Sequence, residues 1–80
     1  YDVGEKRVGK MLRLCRRYLH WIQNSVFEGE ISEVKKKELI LRAEEIMENE
    51  DSLIIFSGRQ TNWMEKQVIG KERNNLTQFL

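Results

Sequence analysis

Apolar residues recur at helical spacing early in the chain. Val8, Met11, Leu12, Cys15, Tyr18 and Leu19 fall on one face of a helix predicted from Glu5 to about Leu19. Trp21 to Glu28 changes period. Ile22, Asn24 and Val26 alternate with Gln23, Ser25 and Phe27, which predicts a strand closed by Gly29. Ser32 then has the character of a helix N-cap, with Glu33 just inside the first turn. That second helix is predicted to run to about Asn49 on a buried face of Val34, Leu39, Ala43, Ile46 and Met47. Asp51 and Ser52 lead into Leu53–Phe56, a strongly β-favouring run. Gly58 to Asn62 has turn composition, and Met64 to Ile69 alternates as a further strand. Gly70 opens a polar tail, Lys71 to Asn75, that ends apolar at Leu76–Leu80.

The visible order is α-β-α-β-β-tail. Two helices and three strands leave a sheet one strand short. A strand before Tyr1 would give βαββαβ, the split βαβ, ferredoxin-like pattern, with both helices on one face of an antiparallel sheet. The pattern therefore predicts an α+β, ferredoxin-like fold whose first strand is absent from this chain or truncated. Tyr1 and Asp2 would stand at that strand's C-terminal end. Residues 1–80 fit one domain, with about 71–80 as a C-terminal tail or strand.

At 80 residues the buried core is small, so a partner subunit would add stability. Hydrophobic residues make up 40% and charged residues 34%, a balance that excludes a disordered chain. The longest apolar run is Leu53–Phe56, too short for a membrane span, and no leader-like segment stands at the start. A single cysteine, Cys15, excludes an internal disulfide and points to the cytoplasm. One His and one Cys exclude zinc-finger-type sites, so carboxylates would have to hold any metal. The net charge of +1 hides an asymmetry. Glu5–Arg17 carries six bases and one acid, whereas Glu28–Asp51 carries nine acids and four bases.

Several motifs carry two readings each. Gly4–Met11 nearly matches a phosphate-binding loop, but Met11 replaces the Ser or Thr that ligates magnesium, and the stretch fits the helix. Asp2 serves either a turn or, paired with its twin across a dyad, a magnesium site. Lys6, Lys10, Arg13 and Arg17 form a stripe opposite the apolar face, which is either a solvated surface or a phosphate-contact surface joined by Arg16. Lys35–Lys37 lies in an acid-rich helix and reads as an ion-paired, solvated face. Trp21, Phe27 and Trp63 fill a core or subunit contact, or stack on bases. His20 reads as a surface residue and Cys15 as a small buried hydrophobe. Asn75–Thr77 matches a glycosylation acceptor that a cytoplasmic chain would not use.

Taken together, Tyr1-Asp2-Val3, the Lys6-Arg7-Val8 helix start, Ile22 to Gly29, Asp51 to Phe56 and Val68-Ile69-Gly70 resemble the second core family of CRISPR-associated proteins. That family is the small adaptation-stage partner of the CRISPR integrase. The resemblance implies a ferredoxin-like homodimer whose C-terminal strand swaps to the partner's sheet, here Leu76–Leu80. It implies a metal-dependent, mostly magnesium (Mg2+), endonuclease acting on single-stranded RNA or duplex DNA. It also implies a scaffold that holds DNA beside the integrase subunits during spacer acquisition. Carried onto this chain, Asp2 would be the metal ligand, with Tyr1, Arg7 and Phe27 as its neighbours in the catalytic site. In the scaffold role the basic helix would face duplex phosphates and the acidic helix or tail would meet the integrase. A toxin-like endoribonuclease and a non-catalytic nucleic-acid-binding module on the same fold are the alternative readings.

Overall fold

The computed structural model describes residues 1–60 and 63–71, with the side chains of 59, 60, 63 and 64 left aside. A short 3-10 turn, Glu5–Arg7, runs into helix α1, Val8–Arg16. Strands β1 (His20–Gln23) and β2 (Val26–Glu28) follow, then helix α2 (Glu33–Ile46), then β3 (Ser52–Gln60) and β4 (Trp63–Gly70). The class is α+β, as the patterning predicts, and the arrangement is compatible with a ferredoxin-like fold. The predicted tail strand at Leu76–Leu80 and the acceptor motif at Asn75 lie outside the described residues.

The structure differs from the sequence patterning in three places. The single strand expected over Trp21–Glu28 is a hairpin. Asn24 takes φ +46°, a left-handed conformation that Asn tolerates better than most residues, and the chain reverses at Asn24–Ser25. Trp21 closes this turn by donating its indole N–H to the Asn24 carbonyl at 2.9 Å. Of the turn expected at Gly58–Asn62, residues 58–60 are strand, because β3 continues to Gln60, which pairs with Trp63, and Thr61 and Asn62 lie outside the described residues. Finally, the strands form two separate antiparallel pairs, β1–β2 and β3–β4, rather than one sheet. Tyr1 and Asp2 lie between the pairs. The Tyr1 nitrogen donates to the Ser25 carbonyl at 3.0 Å, and Asp2 exchanges two backbone bonds of 2.9 Å with Ser52.

The core joins Met11 and Leu14 of α1, Leu39 and Ala43 of α2, and Leu53 of β3. Tyr1, Val3, Ile46, Met47, Ile55 and Ile69 pack around it. Leu53 and Ile55 point to the helices, so Ile54 and Phe56 point away, by the two-residue strand period. Two positions expected to be buried are not. Val8 is 42% exposed and Val34 is 74% exposed, while Leu14 takes the place expected of Val8. The cause is rotation: α1 turns its Met11–Leu14–Cys15 edge inward, and Val34 stands in the first turn of α2, beyond the edge of the core. Cys15 is buried and burial pushes its thiol up, as suits a small core hydrophobe. The Ser32 cap is as expected, its hydroxyl accepting from the Lys35 N–H at 3.1 Å.

Met11 is fully buried at the centre of this cluster. Met11→Ala is expected to cost about 2–5 kcal/mol. Urea unfolding should show a lower midpoint at unchanged slope.

Candidate functional site

Asp51 is fully buried in the turn between α2 and β3, and its carboxylate is saturated with donors. Oδ1 accepts from the Gly4 N–H at 2.9 Å and from Arg7 Nη2 at 3.0 Å. Oδ2 accepts from Arg7 Nε at 2.5 Å and from the Glu48 N–H at 2.9 Å. The Asp51 N–H donates back to the Glu48 carbonyl at 2.9 Å, closing the turn that follows α2. The chain leaves the helix at Met47 because this turn takes over its bonding. Gly70 completes the pocket. A Cβ there would strike the Asp51 carbonyl, and its φ of +85° excludes most other residues. Lys71 then donates its N–H to that carbonyl at 3.0 Å.

Arg7 reaches two more carboxylates, Glu50 at 2.7 Å and Glu48 at 3.2 Å, and its side chain is only 13% exposed. The Arg7 guanidinium and the two backbone N–H groups hold the Asp51 carboxyl well below the usual carboxylate range. In return, the bond to Asp51 pushes Arg7 further up from its already high value. Ionised on both sides and fully bonded, the pair ties the chain start to the start of β3.

Each residue singled out in the sequence has a definite place. Tyr1 and Phe27 stack with ring centroids 6.2 Å apart and planes 23° apart. Desolvation raises the Tyr1 hydroxyl, so that ring enters any chemistry as a neutral phenol. Asp2 is exposed, its backbone fixed by Ser52, the residue next to Asp51. Arg7 enters this neighbourhood from the other side through Asp51. The structure thus gathers Tyr1, Asp2 and Phe27 at the seam between the two sheets and gives Arg7 a holding role beneath it.

Lys6, Lys10, Arg13, Arg16 and Arg17 are all exposed along α1 and its flanking turns. Glu5–Met11 is helical, with Gly9 inside α1, so no phosphate loop forms there. The Lys35–Lys37 run is partly ion-paired as expected. Lys35 and Arg42 lie 3.8 and 3.7 Å from Glu38, which also accepts the Tyr18 hydroxyl. His20 and Trp21 are exposed, whereas Trp63 offers no described side chain.

Among the described residues, no three His, Cys, Asp or Glu side chains converge as a metal-ligand set, and no helix is long and apolar enough to cross a membrane. Asp2, an exposed carboxylate on a fixed backbone, would supply one oxygen ligand to a Mg2+ ion. That ion keeps several waters and takes one or two carboxylates together with phosphate oxygens.

The sequence places Asp51 only at the entry to the Leu53–Phe56 strand and within the Asp51–Phe56 resemblance, although it is the anchor of the site. One signal pointed to it. Arg7 and Arg16 both fall off the Lys6–Lys10–Arg13–Arg17 stripe, each on one flank of the apolar face, and a cation on such a flank is a candidate for pairing with an acid if it is shielded from water; Arg7 is and Arg16 is not.

This α+β unit with an N-terminal Tyr-Asp seam is of a known kind. Residues 1–66 match the model of the CRISPR associated protein Cas2 family. The chain is 48% identical to the CRISPR-associated endoribonuclease Cas2 of Dictyoglomus turgidum, covering all of this chain and 93% of that protein. It is 42% identical to the proteins of the same description from Fusobacterium nucleatum and Methanothermobacter thermautotrophicus, covering all of this chain and 81% and 89% of theirs. No solved structure matches the chain. The chain belongs to the Cas2 family of CRISPR-associated proteins.

Because the Asp51 carboxyl is held low, its contribution to stability is complete above about pH 5 and is lost as the pH falls through the carboxylate range below about 4. Asp51→Asn is expected to lower the melting temperature near neutrality by about 10 °C or more. The gap between the two proteins should narrow on acidification to pH 3, as followed by circular dichroism.

Proposed function

We propose that this chain acts as a homodimer on nucleic acid in CRISPR adaptation. It grips duplex DNA phosphates with its first helix, as the scaffold partner of the integrase subunits. It also cleaves phosphodiesters with Mg2+ shared between the Asp2 carboxylates of two subunits. The observation that carries the scaffold reading is the stripe of Lys6, Lys10, Arg13 and Arg17, exposed along one side of a helix whose other side is packed into the core. Such a stripe attracts a polyanion without reading its bases.

The nuclease reading draws on a separate observation. Asp2 is exposed on a seam that its own backbone bonds hold fixed, and the relatives described above carry the name endoribonuclease. A divalent ion bound at such a carboxylate supplies Lewis-acid polarisation of the phosphodiester and a more acidic water. The chain's own part is positional: Asp2 presents the ligand, and the Tyr1–Phe27 stack walls one side of the seam. Dimerisation is supported by apolar side chains left on the strands, namely Trp21, Ile22, Val26, Ile54 and Phe56, each at least 39% exposed. The metal dependence, the dimer, the integrase partnership and a cytoplasmic location are all parts of this one reading.

The two roles separate by mutation. Reversing Lys6, Lys10 and Arg13 to Glu is expected to weaken duplex binding at least about tenfold in a gel-shift assay and to flatten its salt dependence. It should also stop spacer acquisition in cells. Asp2→Ala should abolish Mg2+-dependent cleavage of single-stranded RNA and duplex DNA while leaving duplex binding intact. Binding that ignores the charge reversal overturns the scaffold role, and cleavage that survives Asp2→Ala overturns the nuclease role.

A further inference from the structure

The position of Asp2 is set by contacts on both of its sides. On one side its N–H and carbonyl are locked to Ser52 by two bonds of 2.9 Å. On the other, the Gly4 N–H is locked to the Asp51 carboxylate at 2.9 Å. Ser52 and Asp51 are consecutive and both buried, at 5% and 0% exposure. The three residues Asp2, Val3 and Gly4 are therefore held at each end by one two-residue segment of the β3 entry. That segment is itself immobilised from three directions. Arg7 grips the Asp51 carboxylate through Nε and Nη2, the Glu48 N–H caps it, and the Lys71 N–H holds its carbonyl. A ligand side chain on this arch inherits its precision from the carboxylate beneath it.

We infer that Asp51 is a positioning residue for Asp2, fixing the Asp2 carboxylate for a divalent cation that Asp51 itself never touches. The inference rests on the reading of Asp2 as metal ligand. All four donors to Asp51 come from the protein, so no bond of its carboxylate is left for the ion. Groups that orient a metal ligand from outside its coordination shell typically govern about 10- to 100-fold of metal affinity.

The test uses Mn2+ alone, in the absence of nucleic acid, with binding read from the loss of the free-ion electron paramagnetic resonance signal. Every variant is measured well below its own melting transition. Asp51→Asn keeps the size of the side chain but leaves one acceptor oxygen for four donors. It is expected to raise the half-saturating Mn2+ concentration about tenfold. Leu39→Ala removes a core side chain of α2 and destabilises the domain without touching the arch. It is expected to leave Mn2+ binding at the wild-type level. Wild-type affinity in Asp51→Asn overturns the inference. So does an equal loss in Leu39→Ala, because general loosening would then account for both. Should Asp51→Asn not fold, Arg7→Lys takes its place under the same criteria, since a lysine keeps the charge but cannot grip both carboxylate oxygens in a fork. Asp2→Asn separates this inference from the reading beneath it. Undiminished Mn2+ binding in Asp2→Asn removes the metal site itself, whereas loss there with wild-type affinity in Asp51→Asn removes only the positioning role.

Discussion

One buried carboxylate organises this protein. Asp51 has no solvent exposure, and it accepts four hydrogen bonds from Gly4, Arg7 and Glu48. Burying a charge is tolerable only when it is paired and fully bonded, and here both conditions hold. The three donor residues come from the chain start, the entry to α1 and the turn after α2. The carboxylate therefore fastens together the points where separate elements meet. A core of five side chains, Met11, Leu14, Leu39, Ala43 and Leu53, fixes how the helices pack against β3. It does not by itself fix where the chain start lies, and the Arg7–Asp51 pair does.

Much of the fold was legible because its signals are local. The Ser32 cap, the apolar periodicity of both helices and the β-favouring run at Leu53–Phe56 each depend on neighbours within a few residues. The hairpin at Asn24–Ser25 was hidden for a local reason too. Its two turn residues continue the strand's alternation and include neither Gly nor Pro, so the only trace is an Asn able to adopt φ +46°. Asp51 was hidden for a different reason. Its main partner lies 44 positions away, and an Asp after a helix looks the same whether it faces water or a buried arginine. The candidate seam was half legible. Tyr1, Asp2 and Phe27 were singled out together and the Tyr1–Phe27 stack joins two of them, but the support beneath Asp2 is a tertiary fact.

The same carboxylate revises the meaning of the charge asymmetry. A basic first helix and an acidic second segment suggest two surfaces for two partners. In the folded chain, Glu48, Glu50 and Asp51 instead converge on Arg7. Part of the acidic segment is thus paired off within the molecule, on Arg7. Exposed pairs such as Lys35–Glu38 and Glu38–Arg42 contribute little to stability in water, whereas the Arg7–Asp51 pair is shielded and built on a fully buried acid. What is left over has a consistent sign along α1: Lys6, Lys10, Arg13, Arg16 and Arg17 remain at the surface. A chain with a net charge of only +1 thereby presents a concentrated positive edge, because folding pairs off acids at one end of the helix and exposes bases along the rest. The pairing that anchors Asp2 and the surface suited to phosphates are two results of the same partition of charge, with Arg7 on one side of it and Lys6 on the other.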